Sequence, residues 1–285
     1  MKKSLLITVF TVLTLSLPVF SADLADSDAA LIEQALDLSG VKEQIGLISD
    51  SMESELASYK QAVNPEAHEL FGKIVKEAFN EAAFYSRVLE SFKAEFDRKK
   101  METLISLLKS PLSIKMARLE VEASDPAKEQ EIRDFTLRFP FNPVTQERSG
   151  LAQKINEITD QVDTSLKIQV SIFQSITKAV NPLVQEYQRM TQKGLDEIAE
   201  TMEDRLKPML ESQILISTLY TYRSATDQEL KDYIEILKKE ESRWFNKNLA
   251  NAFIKALVQA ASDMGEGIKG SADELRFFQN KQIPR

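Results

Sequence analysis

The side chains that activate a catalytic nucleophile are scarce in this 285-residue chain. Serine and cysteine nucleophiles need a neighbouring base, which is usually histidine. The chain has no cysteine, and its single histidine is His68. No Gly-x-Ser-x-Gly elbow surrounds any serine. We therefore interpret His68 as a surface residue of a helix that begins near Pro65, and we predict no catalytic residue.

Metal ligands are equally scarce. Zinc sites and the di-iron sites of helical bundles both draw on histidine, and one histidine cannot supply either. Asp23, Asp26 and Asp28 cluster near the start of the chain but lack the glycine and the closing glutamate of a calcium loop. The sequence predicts no metal site and no cofactor.

Two further patterns deserve comparison with known sites. The segment Gly265-Glu266-Gly267, with Gly270 nearby, follows a predicted helix rather than a strand, so we interpret it as a helix stop and a flexible joint rather than a phosphate loop. Several carboxylates share one face of a predicted helix, where two of them could form the acid pair of a hydrolase. Flanking basic residues favour a solvated face instead. These carboxylates are Asp196, Glu200, Glu203 and Asp204.

Aromatic residues supply the best candidates for binding. Phe245 begins an apolar stripe with a spacing of four residues, and Tyr233 belongs to the stripe of the preceding helix. Trp244, the only tryptophan, falls about 100° away from the Phe245 stripe. At the edge of a stripe an aromatic side chain can close a groove or anchor a partner. We predict a contact surface that includes Trp244, Phe245 and Tyr233, with Trp244 partly exposed.

These residues must be positioned by helices. Glycine and proline are few, and apolar residues recur at i, i+3, i+4 and i+7, for example in 101–108 and 230–237. Thr226 with Glu229 forms a capping-box pair, and Asp125-Pro126 is typical of a helix start. Prolines 65, 111, 182 and 208 mark further helix starts or bends. The pattern predicts an all-α, bundle-like fold.

The chain divides into two helical parts of related sequence. Ala62-Val63-Asn64-Pro65 recurs as Ala179-Val180-Asn181-Pro182, and two further landmarks recur in the same order. Two prolines within Phe139-Pro140-Phe141-Asn142-Pro143 interrupt any helix. We predict an N-terminal half over 22–138, a proline-rich linker over 139–148, and a C-terminal half with a flexible tail over 149–285.

A family resemblance rests on one segment and its second copy. Residues 97–119 read DRKKMETLISLLKSPLSIKMARL, in which a charged helix with an apolar stripe precedes Ser110-Pro111 and a second helix. This arrangement resembles exported bacterial proteins carrying domain of unknown function number 2059. Residues 224–257 resemble a second copy, with Lys239-Glu240 in place of Ser-Pro, and Ser113 stands where the family tends to glycine. The resemblance implies a helical envelope protein and no established activity.

The first residues predict export. Lys2 and Lys3 precede an apolar run over 5–17, which is shorter than the roughly 18–20 residues of a spanning helix. Val19 and Ser21 suit the −3 and −1 positions of a signal peptidase, so residues 1–21 are the predicted signal peptide, with cleavage between Ser21 and Ala22. We expect a periplasmic protein, with release from the cell left open and no stable membrane insertion after cleavage.

The charge balance limits the partners. The chain has 36 basic and 44 acidic residues, a formal net charge of −8, and loss of the two signal lysines makes it −10. Such a balance disfavours nucleic acid. We expect a non-enzymatic protein that binds an envelope protein or peptide. Two alternatives stay open: a helical carrier of an apolar ligand such as a fatty acyl chain, and an acid-pair envelope hydrolase.

Overall fold

A computed structural model describes residues 28–47, 65–181, 187 and 189–271. Within these ranges the chain is all-α and contains no strand, as the apolar spacing predicts. Residues 41–47 are helical, and a 3-10 turn spans Pro126–Lys128. The remaining helices are α1 (Asp28–Leu38), α2 (Pro65–Ala78), α3 (Glu81–Lys93), α4 (Arg98–Leu108), α5 (Pro111–Ser124), α6 (Glu129–Arg138), α7 (Gln146–Ile158), α8 (Gln161–Val180), α9 (Gln192–Thr221), α10 (Asp227–Leu237) and α11 (Glu240–Gly270).

Several helix starts follow from local sequence. Pro65 and Pro111 begin α2 and α5, because a missing N–H costs nothing in the first helical turn. Thr226 and Glu229 form the predicted capping box at α10, and Asp125 caps the 3-10 turn. Pro182 lies outside the described residues.

Residues that usually break helices lie inside two of the described helices. Pro208 lies within α9, so no helix starts there, and a bend at this position stays a prediction. The prediction of a helix stop and joint is wrong for Gly265-Glu266-Gly267, because these residues lie within α11, which ends only at Gly270. Packing explains the second case: Gly265 is buried, and a Cβ atom at Gly267 would lie 2.8 Å from Cγ2 of Ile74. Tertiary contact thus overrides the low helix propensity of glycine.

The larger core surrounds α11. This helix packs against α2, α3, α4 and α8, and α1 packs against α3 and α4. Its centre contains the rings of Phe84 and Phe253, whose centroids lie 5.6 Å apart in an edge-to-face pair. The four residues of the predicted α4 stripe, Met101, Leu104, Ile105 and Leu108, are buried in this core.

A second core joins α5, α7 and α10. Met116 and Leu119 of α5 share this core with Ile155 of α7 and the buried stripe of α10. The rings of Tyr222 and Tyr233 lie 5.9 Å apart within it. The α10 stripe consists of Leu230, Tyr233, Ile234 and Leu237.

The proline-rich segment breaks the helix where the sequence predicts it. Residues 139–145 separate α6 from α7, which begins at Gln146 with Thr145 as its N-cap, so the break is shorter than the predicted linker over 139–148. Helices from both sides of this break share the larger core. The relation between the two halves by an internal repeat stays a prediction. Among the described helices, none is both long and apolar enough to cross a bilayer.

Candidate contact surface

The three aromatic residues predicted to form a contact surface do not lie on one surface. Tyr233 is 1% exposed and Phe245 is 3% exposed, so the prediction for these two residues is wrong. Each lies on the buried stripe of its own helix and faces a core. Trp244 is half-buried at the edge of the larger core, where its ring packs edge-to-face on Phe92 with 5.7 Å between centroids.

Large exposed apolar side chains occur instead at the end of α6. Leu137 is 71% exposed and Phe141, just beyond the helix, is 83% exposed. The N–H of Phe141 donates to the carbonyl of Arg138, which continues the backbone as a turn. We call Leu137 and Phe141 the apolar projection. A single exposed apolar residue is ordinary, but here two large ones lie within five positions of the chain.

The helix that carries the apolar projection buries no side chain completely. It is held by the end of α9 through Phe135, whose ring packs edge-to-face on Tyr220 at 5.5 Å. The guanidinium of Arg223 lies 4.0 Å from the centre of the Tyr220 ring. Arg223 also donates to Glu122 of α5 at 3.2 Å and to Glu131 of α6 at 3.1 Å. One arginine therefore fastens α5 and α6 to the same end of α9.

The turn between α9 and α10 is fixed from the other side by Arg148 of α7. Its guanidinium donates to the carbonyls of Tyr222 and Ala225, the latter at 2.7 Å. It also pairs with Asp227, the first residue of α10, at 2.6 Å. The Arg148 side chain is only 15% exposed, so these bonds are partly shielded from water.

A buried carboxyl contacts this turn through Tyr222. Glu120 of α5 is 0% exposed, and its Oε1 accepts hydrogen bonds from the hydroxyls of Tyr222 and Tyr233, the latter at 3.2 Å. Among the described residues, Oε2 has no hydrogen-bond partner. Burial raises the pKa of the Glu120 carboxyl well above its ordinary value, and the two tyrosine hydroxyls lower it by less. Burial, followed by the nearby Glu120, likewise raises the pKa of both tyrosines.

A pocket of about 460 Å³ lies between residues 41–47 and α5. Its apolar lining consists of Leu47, Ile114 and Val121. Its other lining residues are charged: Glu43, Arg118, Glu122 and Asp125. The mixed lining suits a polar or peptide-like occupant better than a hydrocarbon chain.

The carboxylates considered for acid-pair chemistry lie apart from this pocket. Asp196, Glu200, Glu203 and Asp204 are all exposed on α9, and Asp196 accepts a hydrogen bond from Gln192. Within the described ranges, no three histidine or acidic side chains are grouped closely enough to hold a metal ion. His68 is half-buried in α2.

The predicted cleavage site at Ser21 and Ala22 lies outside the described residues, as do Asp23, Asp26 and the tail over 272–285. Comparisons of the chain with protein-family models, with curated proteins and with solved structures found no match. The resemblance to domain of unknown function number 2059 therefore stays a prediction.

Sequence reasoning missed two features of this region. Glu120 carried a signal, because it follows Met116 by four residues and therefore falls on the buried face of α5. The sequence signal for the apolar projection was weaker, because Phe141 lies in a segment that we interpreted only as a linker.

Proposed function

We propose that this chain is a non-enzymatic periplasmic protein that binds a protein or peptide partner of the cell envelope. The observation that carries the proposal is the apolar projection, where Leu137 and Phe141 leave most of their surface in water. Aromatic residues such as Phe141 are enriched at protein interfaces, where a few residues carry most of the binding energy. The absence of cysteine and the single histidine support a binding role over catalysis.

The setting of the projection favours a partner with an apolar pocket. Charges near the projection are of both signs and pair with one another, as Arg133 does with Glu129 and Arg138 with Asp134. A strongly charged partner would therefore gain little at this end of α6. The contacts that fasten α6 to α9 through Phe135 and Arg223 reduce the entropy that is lost when the projection is docked.

The alternative functions have less support. A carrier of a fatty acyl chain needs an enclosed apolar cavity of a few hundred cubic ångströms. The pocket beside α5 has a suitable volume, but four of its seven lining residues are charged. A hydrolase needs two carboxylates converging in a cleft. The four candidate carboxylates of α9 lie instead on an exposed face.

Photocrosslinking in intact cells tests this function. A benzophenone amino acid is placed at position 141 in one strain and at position 137 in another. The control strain carries it at position 193, because the Lys193 side chain is 86% exposed on α9. We expect one envelope protein to be captured from positions 141 and 137 and not from 193.

The captured protein is then purified and its binding to the purified wild-type chain is measured directly. Saturable binding at micromolar or lower concentration supports the proposal. Equal capture from positions 141 and 193, or no binding between the purified proteins, would contradict it.

A further inference from the structure

Glu120 has a setting that no other carboxyl in the described part of the chain shares. It is the only acidic residue among the buried side chains there. Its two hydrogen-bond partners, Tyr222 and Tyr233, belong to the second core, whose other members are apolar. A lone carboxylate in such a place is strongly destabilised, because burial removes it from bulk water and no cation of the described residues pairs with it.

Among the described residues, no charged side chain of the surrounding helices pairs with Glu120. The titratable groups that reach the Glu120 carboxyl are Tyr222 and Tyr233, and both are phenols. In the described residues no lysine or arginine pairs with it. Five of the charged residues around this core form ion pairs with other residues. These pairs are Lys100–Glu240, Lys115–Glu229, Lys128–Glu131, Arg148–Asp227 and Arg223–Glu122.

The hydrogen-bond pattern fits a neutral acid. Both phenols donate to Oε1, which is the role of the carbonyl oxygen of a protonated carboxyl, and Oε2 remains for the proton. Tyr222 begins the turn after α9 and Tyr233 lies in the middle of α10. Oε1 of Glu120 therefore links α5 both to the turn after α9 and to α10.

We propose that Glu120 is a pH-sensitive latch that holds α5 against α10 while its carboxyl keeps a proton and opens when that proton is lost. The latch does not depend on partner binding. Arg223 links α5 to α6, so opening would also loosen the support of the apolar projection.

The direction of the pH effect follows from proton linkage. In the open state Glu120 has an ordinary pKa of about 4.3, whereas in the closed state burial holds its pKa well above that value. Opening in this interval releases one proton. The stabilisation by the latch is complete below about pH 4.3 and is lost as the pH rises towards the pKa of the closed state.

Hydrogen exchange measured by mass spectrometry tests the latch. Exchange of the α5 peptide is followed between pH 5 and pH 9, corrected for the intrinsic pH dependence of amide exchange, and an α11 peptide serves as the internal reference. We expect the opening constant of wild-type α5 to rise by about tenfold per pH unit relative to Glu120→Gln, up to the pKa of the closed state. Glu122→Gln, on the solvent side of the same helix, should keep the wild-type pH dependence.

Infrared spectroscopy of the wild-type protein provides a readout that needs no variant. A protonated-carboxyl C=O band should persist above the pH at which the exposed carboxyls have ionised, and it should disappear as α5 opens. The proposal is overturned if no such band remains once the exposed carboxyls have ionised. It is equally overturned if wild type and Glu120→Gln show the same pH profile for α5.

Discussion

The guanidinium of Arg148 lies 2.6 Å from the carboxylate of Asp227, and the two residues are 79 positions apart in the sequence. The same guanidinium binds the main-chain carbonyls of Tyr222 and Ala225. One side chain of α7 thus fixes the whole turn from α9 into α10. This turn also carries Tyr222, which reaches Glu120, and Arg223, which reaches α5 and α6.

Arg148→Ala should therefore be strongly destabilising. It leaves two carbonyls and one carboxylate without their charged donor in a partly buried site, at a cost of about 2–3 kcal/mol in the free energy of unfolding. Urea denaturation monitored by circular dichroism measures this cost. Arg133→Ala is the matched control, because Arg133 is half-exposed and pairs with Glu129 one turn away, so it should change stability by about 0.5 kcal/mol or less. Equal effects of the two substitutions would refute this role of Arg148.

Glu229 should contribute to stability in a pH-dependent way. Its carboxylate binds Lys115 of α5 and closes the capping box at Thr226, and these contacts lower the pKa of Glu229 to about 2. A lowered pKa stabilises the fold above the ordinary value of about 4.3, and this contribution is lost as the pH falls towards 2. Glu229→Gln should be less stable than wild type at pH 7, and the difference should shrink in acid.

The check is a series of denaturation curves from pH 7 down to pH 2.5. Glu235→Gln is the control, since Glu235 is exposed on the same helix and pairs with the exposed Lys238 just beyond its end. A stability gap between wild type and Glu229→Gln that stays constant across this range would show that the carboxylate charge is unimportant.

Two glycines in helices should respond oppositely to the same substitution. At Gly267 a new methyl group would collide with Ile74 of α2, and relief of this contact costs about 1–3 kcal/mol. At Gly150 in α7 no atom lies within 4 Å of the new methyl group. Gly150→Ala should stabilise the protein by about 0.5–1 kcal/mol through helix propensity. Thermal melts of both variants decide the point, and stabilisation by both would mean that α11 and α2 are not packed this closely.

Trp244 should report the edge of the larger core. Its indole is half-buried on Phe92, so its fluorescence maximum should lie between those of a buried and a free tryptophan. Trp244→Ala should cost about 1–2 kcal/mol, less than the 3–5 kcal/mol of a fully buried aromatic residue. Phe245→Ala, one residue further along the same helix, is the comparison because Phe245 is buried. A larger loss for Trp244→Ala than for Phe245→Ala would contradict the structure.

Features set by nearby residues were predictable from the sequence. The stripes of α4 and α10, the capping box at Thr226 and the start of α5 at Pro111 all depend on residues within about two helical turns. Periodicity and capping chemistry determine such features directly. The partial exposure of Trp244 also followed from its angle to the Phe245 stripe.

Features set by distant residues were not predictable. The hydroxyls that donate hydrogen bonds to Glu120 are 102 and 113 positions away, and Gly267 of α11 meets Ile74 of α2, which is distant in the sequence. Helical spacing places a residue on one face but does not identify the helix that covers it. For the same reason Leu137 and Phe141 could not be recognised as uncovered before the packing of α6 was known.

The proposed role of the apolar projection as the binding surface is tested most directly by the affinity of the crosslinked partner for the double variant Leu137→Ser/Phe141→Ser. Isothermal titration calorimetry with purified proteins compares this variant with wild type. If the two anchors together contribute about 2 kcal/mol or more to the binding free energy, their loss should raise the Kd by at least about thirtyfold. The melting temperature should hardly change, because both side chains are exposed. An affinity within about twofold of wild type, in a variant that melts normally, would contradict the account.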